Sequence, residues 1–317
     1  MKKFLLIALA ATTLVGCSNE DVIMQQEGEL ISFGQAFVDN ATRAAADPSY
    51  SANHITSFKV YGTVNAGAGE ALIYPGTEVT KGTAGYREAW TCNVSQYWVP
   101  GAAYQFIGIV DGDKSGVSST TLGTNGMPTS VSYTADGVTD LLCQTVEATG
   151  KVSGNSIVGF NFTHLLAKAK FTVTNNTPEA TNYLHKVRDI VITNAYNKGV
   201  YDISSKTWGT LETTKGIAFD GITAEGATTE CANEKLLIPH ESVKVSFVVD
   251  LYYVDAEGET LIGTTEYTGD KAVNVNTKLE AANAYNFNIT VAVGELIKFT
   301  VEQQPTWTSE PDDVTVQ

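Results

Sequence analysis

The chain has 317 residues, with 20 Lys or Arg against 35 Asp or Glu and a formal charge of −15 at pH 7. A field of that sign repels polyanions, so nucleic acid is excluded as a partner and an anionic lipid surface is disfavoured. Mean hydropathy near zero excludes both a bundle of transmembrane helices and a fully disordered chain.

Lys2 and Lys3 precede an apolar run from Phe4 to Val15, broken only by Thr12 and Thr13. It is too short for a permanent membrane-spanning helix and has the form of a signal peptide over residues 1–16. Leu14, Val15 and Gly16 set Cys17 in what resembles a bacterial lipobox, a signal cut before the cysteine, which then carries the lipid. An ordinary secretory peptide with a cysteine nearby is the plainer alternative. Acyl chains anchor a protein because each buried methylene contributes about 0.8 kcal/mol. Loss of residues 1–16 leaves 18 basic and 35 acidic side chains, a charge of −17. Residues from Ser18 to Glu29 are polar and read as a tether, the first part of a segment spanning 17–45.

Period-two alternation marks strands through the rest of the chain. In "SFKVYGTV", Phe58, Val60 and Val64 share a face opposite Lys59, Tyr61 and Thr63. "AAYQFIGIV" repeats the pattern with Tyr104, Phe106 and Val110. "FNFTHLLAKAKFTVTNN" alternates through Phe160 and Phe162, then resumes out of phase with Ala167, Ala169, Phe171 and Val173. A bulge or bend near Leu165-Leu166 restores the register. In "VKVSFVVDLYYV", Val243, Val245, Phe247, Val249, Leu251 and Tyr253 oppose Lys244, Ser246 and Asp250. Tyr285, Phe287, Ile289, Val291 and Val293 alternate near the end, followed by Ile297, Phe299 and Val301.

Half-apolar strands of this kind predict an all-β fold of antiparallel sheets, each with one wet face, packed as sandwiches. No segment predicts a long helix, and the Gly- and Ser-rich runs at 111–126 and 215–228 read as surface loops. A Pro-turn precedes a long strand in both "YWVPGAAYQFIGIVD" and "LLIPHESVKVSFVVD". That loose repetition suggests two similar sandwiches, residues 46–150 and 151–317, meeting near residue 150; a single elongated β domain is the alternative.

The chemistry of catalysis is sparse. His54, His164, His185 and His240 lack metal-ligand spacing and read as surface or packing residues. No nucleophile elbow, phosphate loop or dinucleotide fingerprint occurs, and nothing implies a metal or cofactor. Asp111, Asp113, Ser115 and Gly116 imitate the opening of a calcium loop, but Leu122 stands where a bidentate Glu belongs. Trp90 and Trp98 read as core, and Trp307 as the best exposed or interface aromatic. Lipidation of Cys17 leaves Cys92, Cys143 and Cys231, an odd number that denies a fully paired disulfide framework. A Cys92–Cys143 bridge and buried free thiols are the two readings left.

Several segments together resemble the fimbrillin-like family of Bacteroides and Porphyromonas relatives. They are the lipobox ending at Cys17, "ISFGQAFVDNATRAA", "YWVPGAAYQFIGIV", "FNFTHLLAKAKFTVTN" and "YNFNITVAVGELIKFTVEQQPTWT". The acidic residues behind Cys17 also resemble surface-export signals of such bacteria. The resemblance implies a non-enzymatic, surface-exposed outer-membrane lipoprotein with two transthyretin-like β-sandwiches in tandem. It implies a fimbrial subunit or accessory subunit supporting adhesion, whose partners are other subunits or copies of itself and a host or bacterial receptor.

In polymerising members a trypsin-like protease cuts after an arginine near the N-terminus. Here that implies Arg43 before Ala44, releasing the lipid together with Ile31, Phe33 and Phe37. A strand from a neighbour then fills the groove, and the last apolar stretch with Ile297, Phe299, Val301 and Trp307 is the implied donor. It reads equally as the subunit's own last strand. A cut there leaves a charge of −13. The alternative is a surface lipoprotein that never polymerises and binds glycan or protein.

Overall fold

The computed structural model describes residues 29–38, 55–67, 69–82, 90–110, 117–150, 157–177, 182–213, 215–224, 228–230 and 233–304. Among them the fold is all-β, with one 3-10 turn, Gly269–Lys271. The first nine strands are β1 (Ser32–Val38), β2 (Ser57–Asn65), β3 (Glu70–Lys81), β4 (Trp90–Cys92), β5 (Ala103–Val110), β6 (Ser118–Leu122), β7 (Pro128–Thr134), β8 (Leu142–Thr149) and β9 (Ile157–His164). Next come β10 (Ala167–Asn175), β11 (Tyr183–Ile192), β12 (Lys198–Asp202), β13 (Thr207–Glu212), β14 (Ile217–Ala218), β15 (Ile222–Ala224), β16 (Thr228–Glu230) and β17 (Lys235–Leu237). The chain ends in β18 (Val243–Asp255), β19 (Gly258–Tyr267), β20 (Val273–Val275), β21 (Ala284–Val291) and β22 (Lys298–Gln304).

A seven-stranded sheet runs β1-β9-β8-β5-β2-β3-β4. Its inner face holds a core of Phe58, Val60, Tyr74, Trp90, Trp98, Tyr104, Phe106, Phe160 and Phe162. A four-stranded sheet, β13-β12-β7-β6, lies against the other face. Between them Tyr61, Ile107, Ile109 and Cys143 meet Met127, Val131, Tyr133, Tyr201 and Ile203. The alternation expected for β2 and β5 is present, but its second face is not wet. Tyr61, Ile107 and Ile109 are buried there because another sheet covers them. On the first face, Gly108 makes room for the aromatic core, since a Cβ there would lie 2.9 Å from the rings of both Phe160 and Phe162.

The second sandwich pairs a sheet ordered β16-β10-β21-β22 with one ordered β14-β11-β18-β19. Phe171, Val173, Phe287 and Ile289 from the first face Val187, Ile192, Val245 and Phe247 from the second. The run at 215–228 corrects the expectation of a surface loop. It holds β14 and β15, which pair with β11, and Ile217, Phe219, Ile222 and Ala224 enter this core. Residues 118–122 of the other glycine-rich run are likewise a strand, β6, on the edge beside β7. Both stretches are short and edge-bound, too brief to show a period.

The bend at Leu165-Leu166 is where the chain changes sheet. Before it β9 belongs to the seven-stranded sheet, and after it β10 belongs to the second sandwich. Residue 150 falls between β8 and β9, neighbouring strands of one sheet. Pairing also crosses that point where β12 lies antiparallel to β7, with Tyr201 opposite Val131.

Candidate functional site

The residues marked on the N-terminal side come together as a seam. Ile31 and Phe33 alternate with Leu30 and Ser32, so one face of this short segment is apolar and turns inward. Each is 4% exposed. β1 runs parallel to β9, with Ser32, Phe33 and Gly34 opposite Ile157, Val158 and Gly159, and a register shift before Phe37 and Val38. On its other side, the Ile31 amide donates to the Gln96 carbonyl at 2.8 Å and the Trp98 amide to the Glu29 carbonyl at 2.9 Å. Leu30 is bridged antiparallel to Tyr97. The N-terminal segment therefore closes the sheet between its β9 edge and the chain that follows β4.

Phe33 is central to the closure. Its ring meets Tyr74 at 5.2 Å, Phe106 at 6.1 Å, Phe160 at 6.3 Å and Phe58 at 6.4 Å between centroids. Quadrupoles favour such edge-on and offset contacts, which add about 0.5–1.5 kcal/mol per pair beyond the area buried. Gly34 allows a close approach, as a Cβ there would stand 2.9 Å from Ile157 Cγ2. The Tyr74 hydroxyl in this cluster is buried without a hydrogen-bond partner, and burial pushes its phenol well above the ordinary range.

The C-terminal residues form β22, antiparallel to β21 with Phe299 opposite Ile289 and Val301 opposite Phe287. It is an edge strand of its sheet. Ile297, Phe299 and Val301 are half-buried against the second core, with the Phe299 ring 6.1 Å from both Phe247 and Phe287. Cys17, Phe37's side chain, Arg43, Ala44, Trp307, His54, Cys231 and residues 111–116, with Asp111, Asp113, Ser115 and Gly116, lie outside the described residues.

The other candidates resolve into packing. His164 Nδ1 lies 2.5 Å from Asp140 Oδ2, both buried. His240 Nε2 lies 2.8 Å from the Asn194 carbonyl and its ring stacks on Tyr196. Trp90 and Trp98 are core residues, and the Trp208 indole donates to the Leu165 carbonyl at 2.9 Å. Cys92 and Cys143 are free thiols, packed in different cores on opposite faces of the seven-stranded sheet. That geometry rules out the bridge between them.

Sequence reading missed the Asp250 site. Asp250 sits on the face of β18 that alternation marks as outward, yet it is buried. Arg188 Nε donates to it at 2.7 Å and Thr264 Oγ1 at 2.7 Å, tying β11, β18 and β19 together. Only the scarcity of arginine, three in the chain, hinted that each has a specific task. Among the described residues no group of three or more His, Cys, Asp or Glu converges as a metal site. No helix among them is long and apolar enough to cross a membrane.

Among the described residues, a sheet whose order begins at β1 lies beside an all-β sandwich in which β22 ends its sheet. A family model described as fimbrillin-like matches residues 42–305, and the chain belongs to that family. The fold is similar to a fimbrial protein from Bacteroides vulgatus, with a TM-score of 0.64 and 15% identity over 86% of this chain and 98% of that one. A candidate cell adhesion protein from Bacteroides uniformis aligns with a TM-score of 0.48 and 15% identity, over 88% of this chain and 98% of that one. No curated protein matches the sequence. Family membership supports a fimbrial or adhesion role at the cell surface, structural rather than enzymatic.

Proposed function

We propose that this protein is a structural or accessory subunit of a cell-surface fimbria, assembled by proteolytic processing and strand insertion between subunits. The subunit reaches the outer membrane as a lipoprotein anchored through Cys17. Cleavage between Arg43 and Ala44 frees the segment carrying Ile31, Phe33 and Phe37 from the rest of the chain. The observation that carries this reading is β1 itself. It pairs with β9, the three residues just before it pair with residues 96–98, and its Phe33 side chain is inserted among four other aromatic rings.

Loss of such a strand leaves unpaired N–H and C=O groups along β9 and the 96–98 segment, together with an apolar trough. An extended segment from a neighbour repairs both by β-augmentation. The exposed-aromatic platform expected of a glycan binder finds no support in Trp90, Trp98 or Trp208, which are buried or half-buried.

N-terminal sequencing and lipid analysis of the protein from its native surface tests the reading. Material beginning at Ala44, migrating as a ladder of oligomers, is the expected result. Fimbriae whose subunits still begin at acylated Cys17 overturn it.

A further inference from the structure

Among the described residues, the second sandwich leaves one stretch of an inner sheet face open. Val245, Phe247 and Val249 of β18 belong to the core, and strand alternation puts Leu251 and Tyr253 on the same face. β11 repeats the row: Val187 is core, and His185 and Tyr183 stand opposite Leu251 and Tyr253 in register. Cover falls away in that direction. Leu251 and Tyr183 are half-buried, and Tyr253 is 37% exposed. On β19, Gly263 stands opposite Leu251 and is exposed, and a Cβ there would meet nothing within 4 Å. The register shift beside it leaves Ile262 as an extra residue, a bulge that bends the strand at this point. The outcome is a trough with Leu251 and Gly263 as its floor and Tyr183 and Tyr253 as its outer wall.

Two features distinguish this trough from a bare sheet end. His185, one residue pair further in than the tyrosines, is 4% exposed, and its Nδ1 has no hydrogen-bond partner. An unpaired buried polar atom is costly, so a polar group arriving there recovers a missing bond. The aromatic wall is also fixed in advance. The Tyr183 and Tyr253 ring centroids lie 5.8 Å apart with planes at 68°, and edge-on packing leaves ring faces free that a stacked pair would cover. Asn182 steadies the pair: its Nδ2 donates to the Tyr253 hydroxyl at 3.3 Å, and its carbonyl accepts from the Val254 amide at 2.8 Å. The face carries no carboxylate or ammonium at these positions, and its β19 members are Thr260, Gly263 and Thr265. Lys186 lies on the opposite face, paired with Glu259 and set over the Tyr252 ring.

We infer that this trough binds a neutral saccharide, with the C–H face of a sugar ring against Tyr253 and a hydroxyl on His185 Nδ1. A purely apolar ligand would leave the His185 nitrogen unpaired. A charged ligand would find no counter-charge on this face, and an anion would also meet the field of a chain carrying −15. A molecule with one apolar face and several uncharged hydroxyls satisfies both demands, because an aromatic ring offers apolar area at little conformational cost while the hydroxyls pair with the polar groups. The tryptophans supply no such wall; the tyrosines at the β18–β19 hairpin do. The site does not depend on the opening of the β1 seam, so it serves a subunit whether or not that subunit polymerises.

The test uses the full chain with isotope-labelled histidine and tyrosine, titrated with the methyl glycosides of mannose, galactose and N-acetylglucosamine and followed by NMR. At least one glycoside is expected to shift the His185 and Tyr253 ring signals saturably. Tyr253→Ala and His185→Leu, neither of which removes core packing, each weaken that binding roughly tenfold or more. His185→Asn, which keeps a polar atom near the Nδ1 position, retains part of it, and Tyr252→Ala on the opposite face leaves it unchanged. Absence of a saturable shift with every glycoside overturns the inference. Binding undiminished by Tyr253→Ala overturns it as well, by placing the sugar elsewhere. Shifts of His185 and Tyr253 caused by the apolar dye anilinonaphthalene sulfonate and by no glycoside overturn the saccharide in favour of an apolar ligand.

Discussion

Phe33 stacks on Phe160 across the β1–β9 seam, with ring centroids 6.3 Å apart and planes inclined by 29°. Because Tyr74, Phe58 and Phe106 enclose the same ring, its removal leaves a cavity that rigid aromatic neighbours fill poorly. Phe33→Ala is expected to destabilise the full chain by about 3–5 kcal/mol, the range for truncating a buried aromatic. Phe299→Ala, at a half-buried edge position, costs less. Denaturant titration followed by tryptophan fluorescence checks the order, since Trp90 and Trp98 share the Phe33 core. An effect of Phe299 equal to that of Phe33 would contradict the burial described.

Much of this fold was legible because alternation is a local property. The phase change at Leu165-Leu166 announced a bend, and the bend proved to be the crossing between sheets. What covers a strand's second face is not local. Tyr61 in β2 and Ile109 in β5 sit opposite the faces that the alternation marked as core. The apolar character of both faces of β5 was the available sign of double burial. At the seam, Ile31 and Phe33 were legible as an apolar face, but their parallel partner β9 lies far along the chain and its register follows from packing. The Arg188–Asp250 contact was hidden for the same reason, since each residue looks like an ordinary outward charge until β11 and β18 are paired.

Cys143 gives a chemical readout of the inner sheet. Burial pushes its thiol up to about 12, and the thiolate is the reactive form. In a Cys231→Ser background, alkylation of the native protein at pH 8 should modify the half-buried Cys92 well before Cys143. Unfolding should equalise them. Equal native rates, measured by mass spectrometry, would contradict the packing of β8 against β7 and β12.

His185 is buried on β11 opposite Leu251 and Ala224, its Nδ1 without a hydrogen-bond partner. Desolvation lowers its pKa, so the unfolded chain holds the proton more tightly than the folded one. The folded state suffers no penalty above the ordinary value of about 6.5 and is progressively destabilised as pH falls below it. Stability of the wild type and His185→Leu, compared between pH 7.5 and 5, should diverge in favour of the variant on acidification. Parallel pH profiles would remove His185 as the cause.

Asp250 has the opposite consequence. The Arg188 hydrogen bond is the chief reason its carboxyl lies below the usual range; burial opposes the shift, and Thr264 adds to it. Its stabilising effect is fully present above the unfolded value of about 3.9 and is lost as pH falls through the lower folded value. Asp250→Asn keeps the shape but removes the charge, leaving Arg188 beside Asp189 alone and Thr264 facing a weaker acceptor. The stability gap between wild type and variant should be widest near neutrality and narrow below pH 4. The joined strands also make a local prediction, because β19 pairs with β18 on one side only. Amide exchange in β19 should accelerate in Asp250→Asn while β21 in the other sheet stays protected. Uniform acceleration across both sheets would show that the charge supports the whole sandwich rather than the attachment of this hairpin.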